Sequence, residues 1–195
     1  MTKLASAISH QSKMADRFTK EQRHNCMSSV HNKGTKPELL LRHALWRQGF
    51  RYRVNDKRLP GSPDILLPKY RTAIFVNGCF WHGHQNCKVF HIPDTNPEFW
   101  ASKIDRNRAR DINNWHALEV LGWNVITIWE CELEKSKFQN TLDQTVSQIL
   151  ANGAEYHFRL DERKATNKAY REMRKEQKDR DAVAKQEIAA LLKRG

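Results

Sequence analysis

Arg71-Thr72-Ala73-Ile74-Phe75-Val76, followed at once by Asn77-Gly78-Cys79-Phe80-Trp81-His82-Gly83-His84, decides the fold of this 195-residue chain. Ala73-Ile74-Phe75-Val76 is a continuous apolar run, as expected of a strand buried on both faces. The loop after it is dense in Cys, His and aromatic residues. On the N-terminal side, Phe50–Val54 and Asp64–Leu67 are two further strand candidates. The cluster Leu59-Pro60-Gly61-Ser62-Pro63 between them is a turn. Before these, Thr35 and Glu38 stand in capping-box spacing with Pro37 at the first helical position. Leu39, Leu40, Leu41, Ala44, Leu45 and Trp46 then give a helix its apolar face, and Gly49 ends it. On the C-terminal side a helical stretch covers roughly Pro97 to Leu121 and stops at Gly122. Asn124-Val125-Ile126-Thr127-Ile128-Trp129 is another buried-strand pattern, and Phe138 to Leu150 reads as a closing helix. This order gives an α/β domain around a mixed central sheet flanked by helices.

Composition bounds the function. Lys and Arg number 34 against 22 Asp and Glu, a net charge of +12, which favours a polyanionic partner, nucleic acid first. No run approaches the roughly 20 apolar residues of a spanning helix. Six Trp, eight Phe and four Tyr argue against full disorder, and four Cys are too few for a disulfide scaffold of this length. Residues 1–13 lack the apolar stretch of a signal peptide, so the expected location is cytoplasmic, where Cys stays reduced and open to metals. The charge concentrates at the ends: residues 1–36 hold seven basic and two acidic residues, and residues 161–195 hold eleven and seven. The last stretch is rich in Lys, Arg, Glu and Ala without Pro. It reads as a solvated polar helix or a frayed tail, with a nucleic-acid grip as the secondary reading.

Cys79, His84 and Cys87 sit within nine residues, and Cys131 follows the last strand. Three thiolates and an imidazole make a complete tetrahedral zinc set with no open position, as structural sites have. The competing reading is of small buried hydrophobes, and the tight spacing with an imidazole favours zinc. Cys26 stands apart as an ordinary thiol. Asp64, beside the turn, can face a cleft and hold a hard cation such as Mg²⁺, although an Asp at a strand end more often caps a turn. Backbone carbonyls at Val76-Asn77, with the Asn77 amide, can complete that cation's shell. His82 is left over once His84 is assigned to zinc and is a candidate general base; a spare His is more often a surface residue. Glu38 has an adequate explanation as a capping residue, and Asp111 can equally pair with Arg108 or Arg110. Phe80 and Trp81 can stack on bases or simply pack against the metal loop.

These residues resemble one family. The segment Leu59-Pro60-Gly61-Ser62-Pro63-Asp64 is followed by Ile74 through His84 and by Cys87. Phe99-Trp100, Lys103-Ile104, Asn107, Asp111, Leu121-Gly122-Trp123 and Trp129-Glu130-Cys131 then follow in order. Together they resemble the very short patch repair (Vsr) endonucleases, over about Asp16 to Leu133. Met14-Ala15-Asp16 is similar to the usual family start. The resemblance implies a restriction-endonuclease-like core with a structural zinc held by Cys79, His84, Cys87 and Cys131. It implies a Mg²⁺-dependent nick in one DNA strand beside a T·G mismatch left by deamination of 5-methylcytosine. Asp64 would bind Mg²⁺, Val76 would contribute its backbone carbonyl, and His82 would activate water. Glu38 and Asp111 match family carboxylates near the metal water and the histidines. Phe80 and Trp81 would enter the base stack from one groove and Met27 from the other. The family pattern has Thr-His where this chain has Val76-Asn77, and an Asn side chain can hydrogen-bond but not act as a proton donor in catalysis.

The resulting expectation is an N-terminal extension over residues 1–15, an endonuclease domain over 16–160 and a basic tail over 161–195. The partner is double-stranded, mismatched DNA, with repair proteins as further partners and a monomeric enzyme. Two rival readings keep parts of the same residues: a nuclease of restriction or phage defence, and a catalytically weak DNA-binding zinc module.

Overall fold

The computed structural model describes Thr19, Glu21, Gln22 and residues 34–192, the side chains of 179 and 181–192 excepted. Cys26, Met27 and the extension over 1–15 lie outside the described residues. The chain forms helix α1 (Lys36–Arg47), strand β1 (Ile65–Leu67), strand β2 (Thr72–Asn77), helix α2 (Pro97–Val120), strand β3 (Asn124–Trp129) and helix α3 (Phe138–Leu192). Short 3₁₀ turns cover Pro68–Tyr70 and Glu130–Glu132. Among the described residues no helix is long and apolar enough to cross a membrane.

The sheet is mixed, as its patterns suggest. Its order is β1-β2-β3, with β1 antiparallel to β2 and β2 parallel to β3. The parallel pair needs a crossover, and α2 supplies it. Both faces of β2 are covered. On one side Ile74 joins Leu41, Leu45, Phe50, Ile65 and Ile149 beneath α1 and α3. On the other, Ala73 and Phe75 join Leu66, Leu118 and Trp123 beneath α2. Each such Leu or Ile, fully buried, contributes about 1.5–3 kcal/mol of transfer free energy. That double coverage is why β2 reads as an unbroken apolar run.

Two elements differ from the sequence reading. Phe50–Val54 is not a strand: Arg53 alone bridges to Leu66, through two backbone bonds of 2.8 Å. The alternation of Phe50, Tyr52 and Val54 imitates a strand. Phe50 is buried, but Val54 is exposed and Asn55 turns the chain at φ 47°. The closing helix also does not stop near Leu150. It continues through Gly153, where a Cβ would lie 2.5 Å from a Tyr70 ring atom, so this glycine is a close-packing position. Asn152 donates to the Thr72 hydroxyl at 3.2 Å, fixing α3 to the start of β2.

Candidate active site

The parallel register decides what meets at the end of the sheet. Asn77 lies opposite Trp129, so the chains leaving β2 and β3 bring Cys79 and Cys131 together. The Cys79 N–H donates to the Glu130 carboxylate at 3.0 Å, tying the two exits. The loop then returns His84, whose Nδ1 lies 3.4 Å from Cys79 Sγ and 3.5 Å from Cys131 Sγ. Its ring stacks flat on Trp129, with centroids 4.1 Å apart. Cys87 completes the group, and the four ligand atoms lie within 4.8 Å of one another. Burial pushes the Cys79 thiol up to about 12 and raises Cys131, whereas the Val89 backbone N–H lowers Cys87. Three thiolates this close need a cation, and the set can hold a metal ion.

The same loop delivers His82 into an open cleft of about 910 Å³. Gly83 makes the intervening bend at φ +64°, and a Cβ there would fall 2.6 Å from Ile104 of α2. His82 Nδ1 meets Asp111 Oδ2 at 2.5 Å. The carboxylate can only accept from an imidazole N–H, so Nδ1 donates and Nε2 is the remaining nitrogen. Of its alternatives, Asp111 takes His82 rather than Arg108 or Arg110 among the described residues.

Across the cleft stands Asp64, with Oδ2 accepting the Val76 N–H at 2.8 Å. Burial pushes its carboxyl up to about 6, and the charge of Glu38 adds to the effect against the pull of Arg42 and His82. Glu38 is both cap and cleft residue. Its carboxylate accepts from the Gly34 and Thr35 N–H groups and from Arg42 at 3.0 Å. Arg42 in turn donates to the Asp64 backbone carbonyl at 2.9 Å, joining α1 to β1. Val76 and Asn77 line the same cleft. Asn77 is 4% exposed, and its Nδ2 has no partner within the protein.

Phe80 and Trp81 are half-buried, and they do not stand alone. Trp100 packs edge-on against both, at 5.2 and 6.1 Å, with Phe99 beyond it. Lys103 Nζ lies 5.3 Å from the Trp81 ring centre and 5.5 Å from that of Trp100. Asn107 donates to the Trp81 carbonyl at 2.8 Å and holds the loop on α2. No sequence reading gave roles to Trp100, Lys103, Asn107 or Glu130. The available signal was two adjacent aromatics opening a helix, with Lys103 a turn further on the same face. Met27 lies outside the described residues.

The family model for DNA mismatch endonuclease Vsr matches residues 15–88. A type II nicking enzyme of Neisseria meningitidis serogroup A, V.NmeAIP, is 50% identical over 137 residues, covering 70% of this chain and 97% of the relative. The type II nicking enzyme V.XorIIP of Xanthomonas oryzae pv. oryzae is 42% identical over 135 residues, covering 67% and 98%. The DNA mismatch endonuclease Vsr of Escherichia coli K12 is 42% identical over 120 residues, covering 62% and 82%. These similarities set aside a DNA-binding module without cleavage. The chain belongs to the Vsr DNA mismatch endonuclease family and is a DNA endonuclease.

Proposed function

We propose that this endonuclease nicks one strand of duplex DNA beside a T·G mismatch, using Mg²⁺ at Asp64 and water activated by His82. The observation behind this reading is the convergence of Asp64, Glu38, His82 and Asp111 on one cleft next to an aromatic cluster. The residues fit a hard cation. Asp64 is a buried carboxyl raised by its surroundings, with Glu38 adding negative charge, and a divalent ion relieves both. Asp64 would hold Mg²⁺ together with the Val76 backbone carbonyl. When bound, Mg²⁺ neutralises the scissile phosphate and stabilises the charge that develops in hydrolysis. His82 Nε2 accepts the proton of the attacking water. Asp111 holds the ring in the required tautomer and stabilises the imidazolium that forms. Glu38, locked by Arg42 and the α1 cap, fixes the negative end of the cleft. The buried Asn77 amide has no partner within the protein and can hydrogen-bond but not supply a proton.

The Cys79–His84–Cys87–Cys131 set suits zinc in a closed structural site. Zn–S and Zn–N bonds of about 2.3 and 2.0–2.1 Å at tetrahedral angles put S and N about 3.6 Å apart. The 3.4 and 3.5 Å separations match that figure. The core is read as restriction-endonuclease-like and monomeric, with residues 16–160 as the endonuclease domain. Phe80 and Trp81, backed by Trp100, wedge into the base stack. A mismatch opens at lower cost than a matched step, so wedging selects it by deformability.

The test is a nicking assay with Mg²⁺ on end-labelled duplexes carrying T·G, T·A or C·G, with Asp64→Ala alongside. A single-strand cut beside the mismatched T, lost in the variant, supports the proposal. Cutting of matched duplex would point instead to restriction or defence.

A further inference from the structure

The C-terminal part of α3 has a charge pattern that the cleft does not use. Every described side chain from Asp161 onward is exposed, while the helix runs unbroken from the core to Leu192. Lys164, Lys168, Arg171, Lys175 and Lys178 follow one another at alternating spacings of four and three, so they share one face of the helix. Arg174 flanks that face. Glu172 and Glu176 fall on the neighbouring face, so the charges are segregated rather than mixed. Two of the cations make exposed pairs at the seam, Lys164 with Asp161 at 3.0 Å and Lys168 with Glu172 at 3.9 Å. Arg171, Arg174, Lys175 and Lys178 have no ion pair among the described residues.

The stripe is remote from the cleft. Helix α3 starts beside the exit of β3, where the Thr141 hydroxyl donates to the Glu132 carbonyl, and reaches the start of β2 at Asn152. It therefore leaves the body at the end of the sheet opposite Asn77. At about 1.5 Å per helical residue and 3.3 Å per strand residue, the stripe lies about 35–55 Å from the cleft. From Lys164 to Lys178 it runs about 21 Å, with cations repeating along a line as phosphates do along a strand.

We infer that this stripe is a second DNA-binding face, which takes the phosphate backbone of duplex DNA without reading its sequence. The chain acts on DNA, and a row of unpaired cations on a stiff arm complements a polyanion. The face holds either a distant part of the substrate duplex or a second duplex, because a site of about ten base pairs or fewer in the cleft cannot reach it. A protein partner or a second copy of the chain would engage the acidic face as well, which a polyanion avoids.

The test uses the full chain with Arg171, Arg174, Lys175 and Lys178 all replaced by Gln, a residue of similar helix propensity. Binding to a fully matched duplex several turns long is followed by fluorescence anisotropy against salt. Removing four phosphate contacts should reduce the slope of log K against log salt by about 3.6, and Arg171→Gln with Lys175→Gln alone by about half that. The double variant keeps the comparison open if the fourfold one loses helix content by circular dichroism. Nicking of a substrate about one turn long should be unchanged. An unchanged slope in both variants overturns the inference. So does a change in sedimentation with no change in slope, which would assign the stripe to self-association. If the wild type does not nick, the reading of the cleft fails, while the salt slope still tests the stripe.

Discussion

Replacing Asp64 by Asn should stabilise the metal-free protein while abolishing nicking. The carboxyl sits at about 6, against an ordinary value of 3.8, mainly because burial penalises its charge. The folded-state value is raised, so the stability this group confers is fully present below pH 3.8 and is lost as pH rises through about 6. At 1.36 kcal/mol per pKa unit, the ionised carboxylate costs the native state about 3 kcal/mol at pH 8. Asn has no charge to desolvate, and its Oδ1 can still accept the Val76 N–H. Its own amide N–H₂ needs partners, which removes about 1 kcal/mol of the gain. The expected net gain is about 2 kcal/mol, or about 4–8 °C in Tm for a chain of this size. Urea unfolding in EDTA at several pH values measures it. The net gain should fall to roughly a third near pH 5, where the native carboxyl is largely neutral, vanish near about pH 4.5 and become a small loss by about pH 4. In Mg²⁺ the wild type should gain stability by mass action and the variant should not. A variant no more stable than wild type at pH 8 in EDTA, or a gain independent of pH, would refute the uncompensated-charge account of Asp64.

Further outcomes follow from other contacts. Asp111→Asn removes the carboxylate charge that fixes the His82 tautomer and stabilises its imidazolium, so nicking should fall about 10²- to 10⁴-fold with duplex binding little changed, as single-turnover kinetics and anisotropy would show. Gly83→Ala forces a left-handed Ala and a 2.6 Å approach to Ile104, for a loss of about 2–4 kcal/mol in urea unfolding. Cys131→Ala should lower the bound metal measured by atomic absorption and slow nicking at least about tenfold, since the loop bearing His82 loses an anchor.

How much was legible in the sequence depended on whether the cause was local. The unbroken run Ala73–Val76 and the Thr35–Pro37–Glu38 cap are local signals, and both elements formed where the residues placed them. The Cys and His spacing was equally local for Cys79, His84 and Cys87, and Cys131, which completes the cluster, stood out because it followed a strand. Phe50–Val54 failed because alternation reports a preference for extended chain, not the existence of a partner. Only Arg53 finds one. The length of α3 was hidden for a different reason. Its outer half reads as a solvated polar helix from composition, but its continuity with Phe138–Leu150 does not show, because Gly153 resembles a stop while serving to admit Tyr70. The tie from Glu38 through Arg42 to the Asp64 backbone crosses residues far apart in sequence, and nothing short of the fold reveals it.

On the proposed reading, the arrangement lets one short loop serve two chemistries. His82 lies between Cys79 and His84, so any ion held by those ligands fixes the backbone on both sides of it. That restraint alone would leave the imidazole free to rotate. Asp111 removes the freedom from α2, a separate element, and Asn107 on the same helix holds the preceding carbonyl. Gly83 lets the loop lie against Ile104 closely enough for both contacts to form. The histidine is therefore positioned by the sheet end through the metal cluster and by α2 through the carboxylate, and neither depends on Asp64 across the cleft. Damage to the cluster should consequently slow the reaction through His82 while leaving the Asp64–Glu38–Arg42 side intact. Calorimetric Mg²⁺ binding to Cys131→Ala measures that separation: retained affinity with slowed nicking supports two independently built halves, and loss of both together would mean the halves fold as one unit.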